Sequence, residues 1–397
     1  MKFYQALPSF LLLPLFTQAA DWPAFRGPEG NGHSSEKNAP AKLSTSWKTP
    51  LPGRGLSSPI IIGNKVFLTA SSGNLQNRLH VFCFAAKDGS TLWERQFWST
   101  GRTMSHKKTS VAAPTPVSDG KYIYALFSCN DLVCLDLEGN LQWLRGLTRD
   151  YPNASNSLGM SSSLLISGKT LIAQIENDSQ SLSLGINAKN GTNRWKLTRP
   201  KGANWTTANL LPGAGAGGKT LVALQSKAGI DAIDPHSGKT QWSYSEGAST
   251  IPSSTRVGNL LLVPSKGLTA LHPREDGKSY SQLWRISKLR PATASPTHLG
   301  GNIFNVNGAG VLTCASPEDG STQWQLRLKG PFSGSPVAAD KYLYCFNESG
   351  LGQVIEANKS EGKVLHTIAL DETILCTPAI SNGALYIRSD NHLWKLN

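Results

Sequence analysis

The sequence predicts an all-β fold: an eight-bladed propeller of four-stranded antiparallel blades, with the last blade closed by a strand from the N-terminal side. The first observation behind this is a glycine-to-tryptophan signature. The segments DGSTLW, EGNLQW, NGTNRW, SGKTQW and DGSTQW place Gly89, Gly139, Gly191, Gly238 and Gly320 four residues ahead of Trp93, Trp143, Trp195, Trp242 and Trp324. A sixth copy, DGKSYSQLW, has three extra residues between Gly277 and Trp284, and a seventh, EGKVLH, carries His366 in the ring position. The second observation is the period: counted from Trp47, the ring positions recur every 40 to 52 residues, the length of one blade. The third is alternation of apolar with polar residues, rich in β-branched and aromatic types and broken by short Gly/Asn turns, as antiparallel strands require. Helical periodicity is nowhere sustained.

Taken from the N-terminus, residues 1–19 read as a signal peptide: Lys2, an apolar run from Leu11 to Phe16, and small residues ending near Ala19 as the cleavage site. The run is too short to cross a bilayer and no other stretch is long enough, so the expectation is an exported chain, periplasmic or secreted, with no membrane span. Residues 20–44 read as an N-terminal arm. Within it, DWPAFRGPEGNG offers Trp22 and Phe25 as anchors and Arg26 as a donor to loop carbonyls, although a guanidinium beside an indole also suits a ligand clamp.

Residues 45–397 form the propeller, read as a single domain. Its last unit, ILCTPAISNGALYIRSDNHLWKLN, stops after three strands, and LSTSWKTPL supplies the fourth with Trp47, which removes an open sheet edge. Each ring, Trp47, Trp93, Trp143, Trp195, Trp242, Trp284 and Trp324 with His366 in the seventh repeat, is assigned to dock on the neighbouring blade. The glycine before it supplies the positive φ of a tight turn. His366 and the expanded turn before Trp284 mark the two irregular contacts.

The cysteines read as packing residues. Cys83, Cys134 and Cys314 occupy the repeat position filled elsewhere by Gly185 or Ala232, and Cys345 and Cys376 align with Ala125 and Gly334. Only Cys129 and Cys134 flank a hairpin closely enough for a local bond. With 39 Lys and Arg against 26 Asp and Glu, the net charge of +13 favours anionic partners. No basic run exceeds Lys107-Lys108, and no basic stripe carries interleaved aromatics, which argues against nucleic acid.

These features resemble the PQQ-like β-propeller repeat proteins, the superfamily of quinoprotein alcohol dehydrogenases and of the outer-membrane assembly lipoprotein. The resemblance rests on the DGxxxW turns, on Ser58-Pro59, Ser295-Pro296 and Ser335-Pro336, and on the WPxFRGP opening shared with exported bacterial members. It implies a rigid platform or, alternatively, a quinone enzyme. The enzymes' hallmarks, an adjacent cysteine pair, a CxxCH haem site and a converging acidic cluster, have no counterpart here, and the histidines lack metal-ligand spacing. No cofactor is therefore expected; PQQ with calcium comes from the resemblance alone.

The longer connections present His106, Lys107, Trp205, Asn209, Arg256 and Arg290 as candidates for an axial funnel with a cationic mouth and one exposed indole. Such a funnel suits an anionic or carbohydrate ligand or an envelope protein, bound by a monomer. The reading taken is a non-catalytic binding or scaffold protein. The alternatives are a divergent PQQ-dependent dehydrogenase acting on an alcohol or sugar, and a polysaccharide-processing enzyme.

Overall fold

The computed structural model describes residues 21–155 and 158–397; the signal peptide assigned to residues 1–19 lies outside them. Eight sheets form the eight blades of a propeller, at residues 60–98, 117–146, 165–198, 209–244, 255–286, 297–327, 337–369 and 379–396. In the first seven the chain runs through four consecutive antiparallel strands. The eighth takes its fourth strand, Thr45–Pro50, from the N-terminal side, paired antiparallel to His392–Leu396. Ser44 and Asn397 lock this closure by donating backbone N–H groups to each other's carbonyls at 2.8 and 3.0 Å.

The rings dock as the repeats predict. Trp93 lies on Gly139 of the next blade so closely that a Cβ there would sit 2.7 Å from the indole, and the φ of +83° at Gly139 admits only glycine without strain. Trp47, Trp143, Trp195, Trp284 and Trp324 repeat the contact on Gly89, Gly191, Gly238, Gly320 and Gly362. Each of these six indoles also donates its N–H to a backbone carbonyl of the same turn, as Trp195 does to Pro235 at 2.9 Å.

The two irregular places are where the sequence puts them. In the expanded turn Gly277 packs on Gly215 and Ala216 instead of Trp242, whose buried indole N–H has no partner among the described residues. Trp242 lies beside Tyr280, with ring centroids 5.2 Å apart. His366 keeps the hydrogen bond without the indole, its Nε2 lying 2.9 Å from the Leu43 carbonyl.

Every blade also carries a register shift at its ring. The residue just before each ring is bulged out of the ladder between the third and fourth strands of the sheet. A bulge bends the strand and re-aims the next side chain, and it leaves Leu92, Leu283 and Leu365 exposed on the outer flank. Opposite six of the rings stands a small residue: Cys83, Cys134, Gly185, Ala232, Ala270 and Cys314 pair with Trp93, Trp143, Trp195, Trp242, Trp284 and Trp324, while Lys395 faces Trp47 and Val354 faces His366. All six cysteines are buried and free, so Cys129 and Cys134 are not bridged.

Candidate functional site

The second residue before each innermost strand carries a hydroxyl, and these side chains meet around the axis. They are Ser58, Thr115, Ser163, Thr207, Ser253, Ser295, Ser335 and Thr377, one per blade and all buried. Neighbours are linked around the ring. The N–H of Ser58 donates to Thr115 Oγ1 at 2.9 Å, that of Thr115 to Ser163 Oγ at 3.0 Å, and so on through Ser335 to Thr377 Oγ1 at 3.0 Å. The chain of seven bonds stops at the seam between blades 8 and 1, where the buried Ser58 hydroxyl has no partner among the described residues.

Two residues earlier in each repeat, the side chain again faces the axis, as the two-residue period of extended backbone requires. This collar above the hydroxyls consists of Leu56, Ala113, Ser161, Trp205, Ile251, Thr293, Ser333 and Leu375. Hydroxyl ring and collar enclose a cavity of about 430 Å³, with His106, Lys108, Thr109 and Leu158 at its mouth. Lys108 is held by Glu348 at 2.8 Å, and Glu348 also accepts from Ser333 at 2.8 Å.

The other end is closed by the arm. Trp22 pairs its backbone with Ile61 of blade 1, and the Pro23 carbonyl accepts from Ser118 of blade 2. Arg26, held at a φ of +62°, points its buried guanidinium at Thr255 Oγ1 (3.0 Å), the Asn31 carbonyl (3.1 Å) and the Pro296 carbonyl, joining blades 5 and 6. Burial without a carboxylate partner lowers its pKa to about 9. Further along, Gly32 accepts from Ala338 of blade 7, and the Glu36 carboxylate accepts from Asn382 and Gly383 of blade 8 at 2.7 Å each. Phe25 lines the same cavity as the hydroxyls, so the arm floors the funnel and the funnel is blind. The geometry of Trp22 and Arg26 is that of an anchor: both are fully buried, with Trp22 packed on Gly27.

Of the six funnel candidates, the structure brings His106 and Trp205 together at the mouth, where the Trp205 indole donates to the Gly159 carbonyl at 2.6 Å. Lys107 is exposed beside them, its carbonyl accepting from Arg54. The other three are elsewhere. Asn209 is buried under the arm, donating to the Ser254 carbonyl at 2.7 Å, and Arg256 pairs with Glu29 of the arm at 2.6 Å. Arg290 lines a shallow pocket with Lys227, Glu246 and Lys266. Asn209 and Arg256 fall outside the funnel because they lie within the innermost strands, toward the arm end, whereas the mouth is built from residues that precede those strands. The hydroxyl ring is the part that sequence reasoning missed. Its signal was a Ser or Thr at the head of every repeat, of which only the Ser-Pro pairs attracted notice.

A calcium-held quinone needs six or more oxygen ligands, carboxylates among them. The described lining residues include no Asp or Glu, and Glu348 behind them is already engaged by Lys108 and Ser333. Among the described residues no three His, Cys, Asp or Glu side chains come together as a metal site. The residues present do not fit the group.

Among solved structures the chain is similar to BamB from Moraxella catarrhalis, at 15% identity with a TM-score of 0.64, covering 89% of this chain and 97% of that one. It is also similar to the quinohemoprotein alcohol dehydrogenase from Comamonas testosteroni, at 12% identity and a TM-score of 0.71, covering 95% and 80% of the two chains. A europium-containing methanol dehydrogenase aligns at 10% identity and a TM-score of 0.69, covering 95% and 98%. At such identities the likeness is one of fold. No curated protein matches the sequence. The profile of one family matches in four overlapping stretches, residues 43–163, 153–265, 265–350 and 308–397, and the chain accordingly belongs to the family described as outer membrane protein assembly factor BamB.

Proposed function

We propose that this protein is an exported, non-catalytic binding or scaffold propeller of the bacterial envelope or extracellular space, with the funnel mouth as its working face. One observation carries the reading: the axial cavity is walled by hydroxyls and apolar side chains, without a carboxylate among its described lining residues. General acid–base or metal-assisted chemistry needs titratable or ligating groups at the reacting atoms. Among the described lining residues the titratable groups are His106 and the Glu348-paired Lys108 at the exposed rim, and the Cys376 thiol, which burial pushes up to about 11.

The mouth has the make-up of a recognition surface. Leu158 and Ile251 are exposed on it, Trp205 stands half-buried, and the Lys108–Glu348 ion pair lies at the edge. An aromatic and aliphatic centre with a charged rim is how protein partners are held. The family's description as an outer membrane protein assembly factor supports an envelope protein as that partner.

Photo-crosslinking in the producing cell tests this. A crosslinker placed at Ile251 on the mouth should give discrete adducts with an envelope protein, whereas one at Leu283 on the outer flank should not. Adducts from Leu283 alone, or equal adducts from both, would overturn the assignment of the working face.

A further inference from the structure

We infer that the closed end of the funnel is an oxyanion site, which takes the head group of an organic anion whose apolar body lies in the collar above. This rests on the reading of the funnel as a binding pocket and names its ligand chemistry.

The argument starts from hydrogen-bond accounting. Seven of the eight ring hydroxyls accept a neighbour's backbone N–H, which occupies a lone pair and leaves the O–H proton free. None of those seven donates its proton to an acceptor among the described residues. Ser58 is barer still: it is 1% exposed, lines the cavity, and its hydroxyl has no partner among the described residues. Buried polar groups are as a rule satisfied, so unanswered donors converging on one cavity mark a place for an acceptor. Water can fill that place, but a group with several lone pairs and a negative charge answers more of the donors at once, and bonds to a charge are the stronger ones.

The surroundings select an anion over a neutral acceptor. The described lining holds no carboxylate to repel one, Glu348 behind the mouth is neutralised by Lys108, and the whole chain carries a net charge of +13. Above the ring the collar turns apolar, with Leu56, Trp205, Ile251 and Leu375 facing the axis. The ligand is thus amphiphilic, head inward and body outward. The cavity of about 430 Å³ equals the space of roughly fourteen waters at ~30 Å³ each, enough for a head group and a medium-length chain.

The test is calorimetric titration of the mature protein with decanoate, decyl phosphate, decanamide and decyltrimethylammonium. One or both anions should bind at least tenfold more tightly than the amide, with the cation weakest; the tighter anion identifies the head group. Ser58→Ala is the informative variant, because that hydroxyl accepts no backbone N–H and its loss leaves the ring intact. It should weaken anion binding several-fold and leave decanamide unchanged. Ile251→Glu, on the exposed collar, should abolish anion binding with an unaltered thermal midpoint. Equal affinity for anion and amide, preference for the cation, or anion binding indifferent to both variants would overturn the site. Crosslinking from Ile251 to an envelope protein without anion binding would leave the platform reading standing and this one refuted.

Discussion

Trp195 and Trp242 occupy the same place in successive blades and are almost equally buried, at 8% and 5% exposure, yet only Trp195 has both halves of the docking contact. Its ring lies on Gly238 and its N–H reaches the Pro235 carbonyl at 2.9 Å. The turn around Gly277 packs on Gly215 and Ala216 instead, and Trp242 buries an N–H with no partner among the described residues. Truncation to alanine removes a large apolar surface in either case and should cost on the order of 3 to 5 kcal/mol at each site. Replacement by phenylalanine separates them. At position 195 it removes a hydrogen bond and orphans a carbonyl, adding about 1 to 2 kcal/mol to the packing loss. At position 242 no bond is lost, and the buried unpaired donor, itself worth about 1 to 3 kcal/mol, disappears. Trp195→Phe should therefore lower stability by about 2 kcal/mol or more relative to Trp242→Phe. The assay is the denaturation midpoint in urea, compared at constant slope. Equal losses, or a larger loss at 242, would refute the view that the indole N–H is half of the staple.

Three further outcomes follow from the arm and the core. Arg26→Met should destabilise by about 2 to 4 kcal/mol, because the buried donor to blades 5 and 6 is lost, and should speed limited proteolysis within residues 21–44 while the β-sheet spectrum stays unchanged; cleavage at the wild-type rate contradicts the latch. His298, stacked on His33 with ring centroids 4.7 Å apart, has its pKa lowered to about 4 by burial and by the nearby His33, Arg26 and Arg256 charges. Its neutral form is the one the fold holds, so its contribution is complete above the ordinary histidine pKa and drains away as pH falls from about 6.5 toward 4. His298→Gln should flatten that part of the stability profile, and an identical profile in the variant would count against it. The buried cysteines, with Cys83 and Cys345 each pushed up to about 12 mainly by burial, should resist thiol reagent in the native protein and react on unfolding; reductant should leave the melting point in place.

The ring was legible in the sequence because the blades repeat the same demand: a glycine whose turn receives the indole of the preceding blade, and four residues later an indole that docks on the glycine turn of the next. That local chemistry gave the blade count, the closure by Trp47 and both weak contacts. The bulge before every ring was not legible, since Leu92 and Leu283 look like ordinary apolar strand residues until the register is known. The candidate site was read only in part. Trp205 and His106 stood out as unusual residues in long connections, whereas the hydroxyl ring is made of residues that look like ordinary turn formers. Its identity depends on the eight-fold arrangement, which brings side chains 40 to 57 residues apart in sequence onto one axis. Asn209 and Arg256 were displaced for the same reason: a shift of two to four residues along an innermost strand moves a side chain from the open end of the channel to the closed one.

The central claim is that the axial pocket binds through hydroxyl and apolar groups and lacks the ligands to hold a quinone. Purified protein incubated with excess PQQ and calcium, then desalted, puts this to the test. The account predicts no retained quinone absorbance and no dye reduction with alcohols or sugars. One equivalent of retained quinone, with substrate-dependent dye reduction, would contradict it.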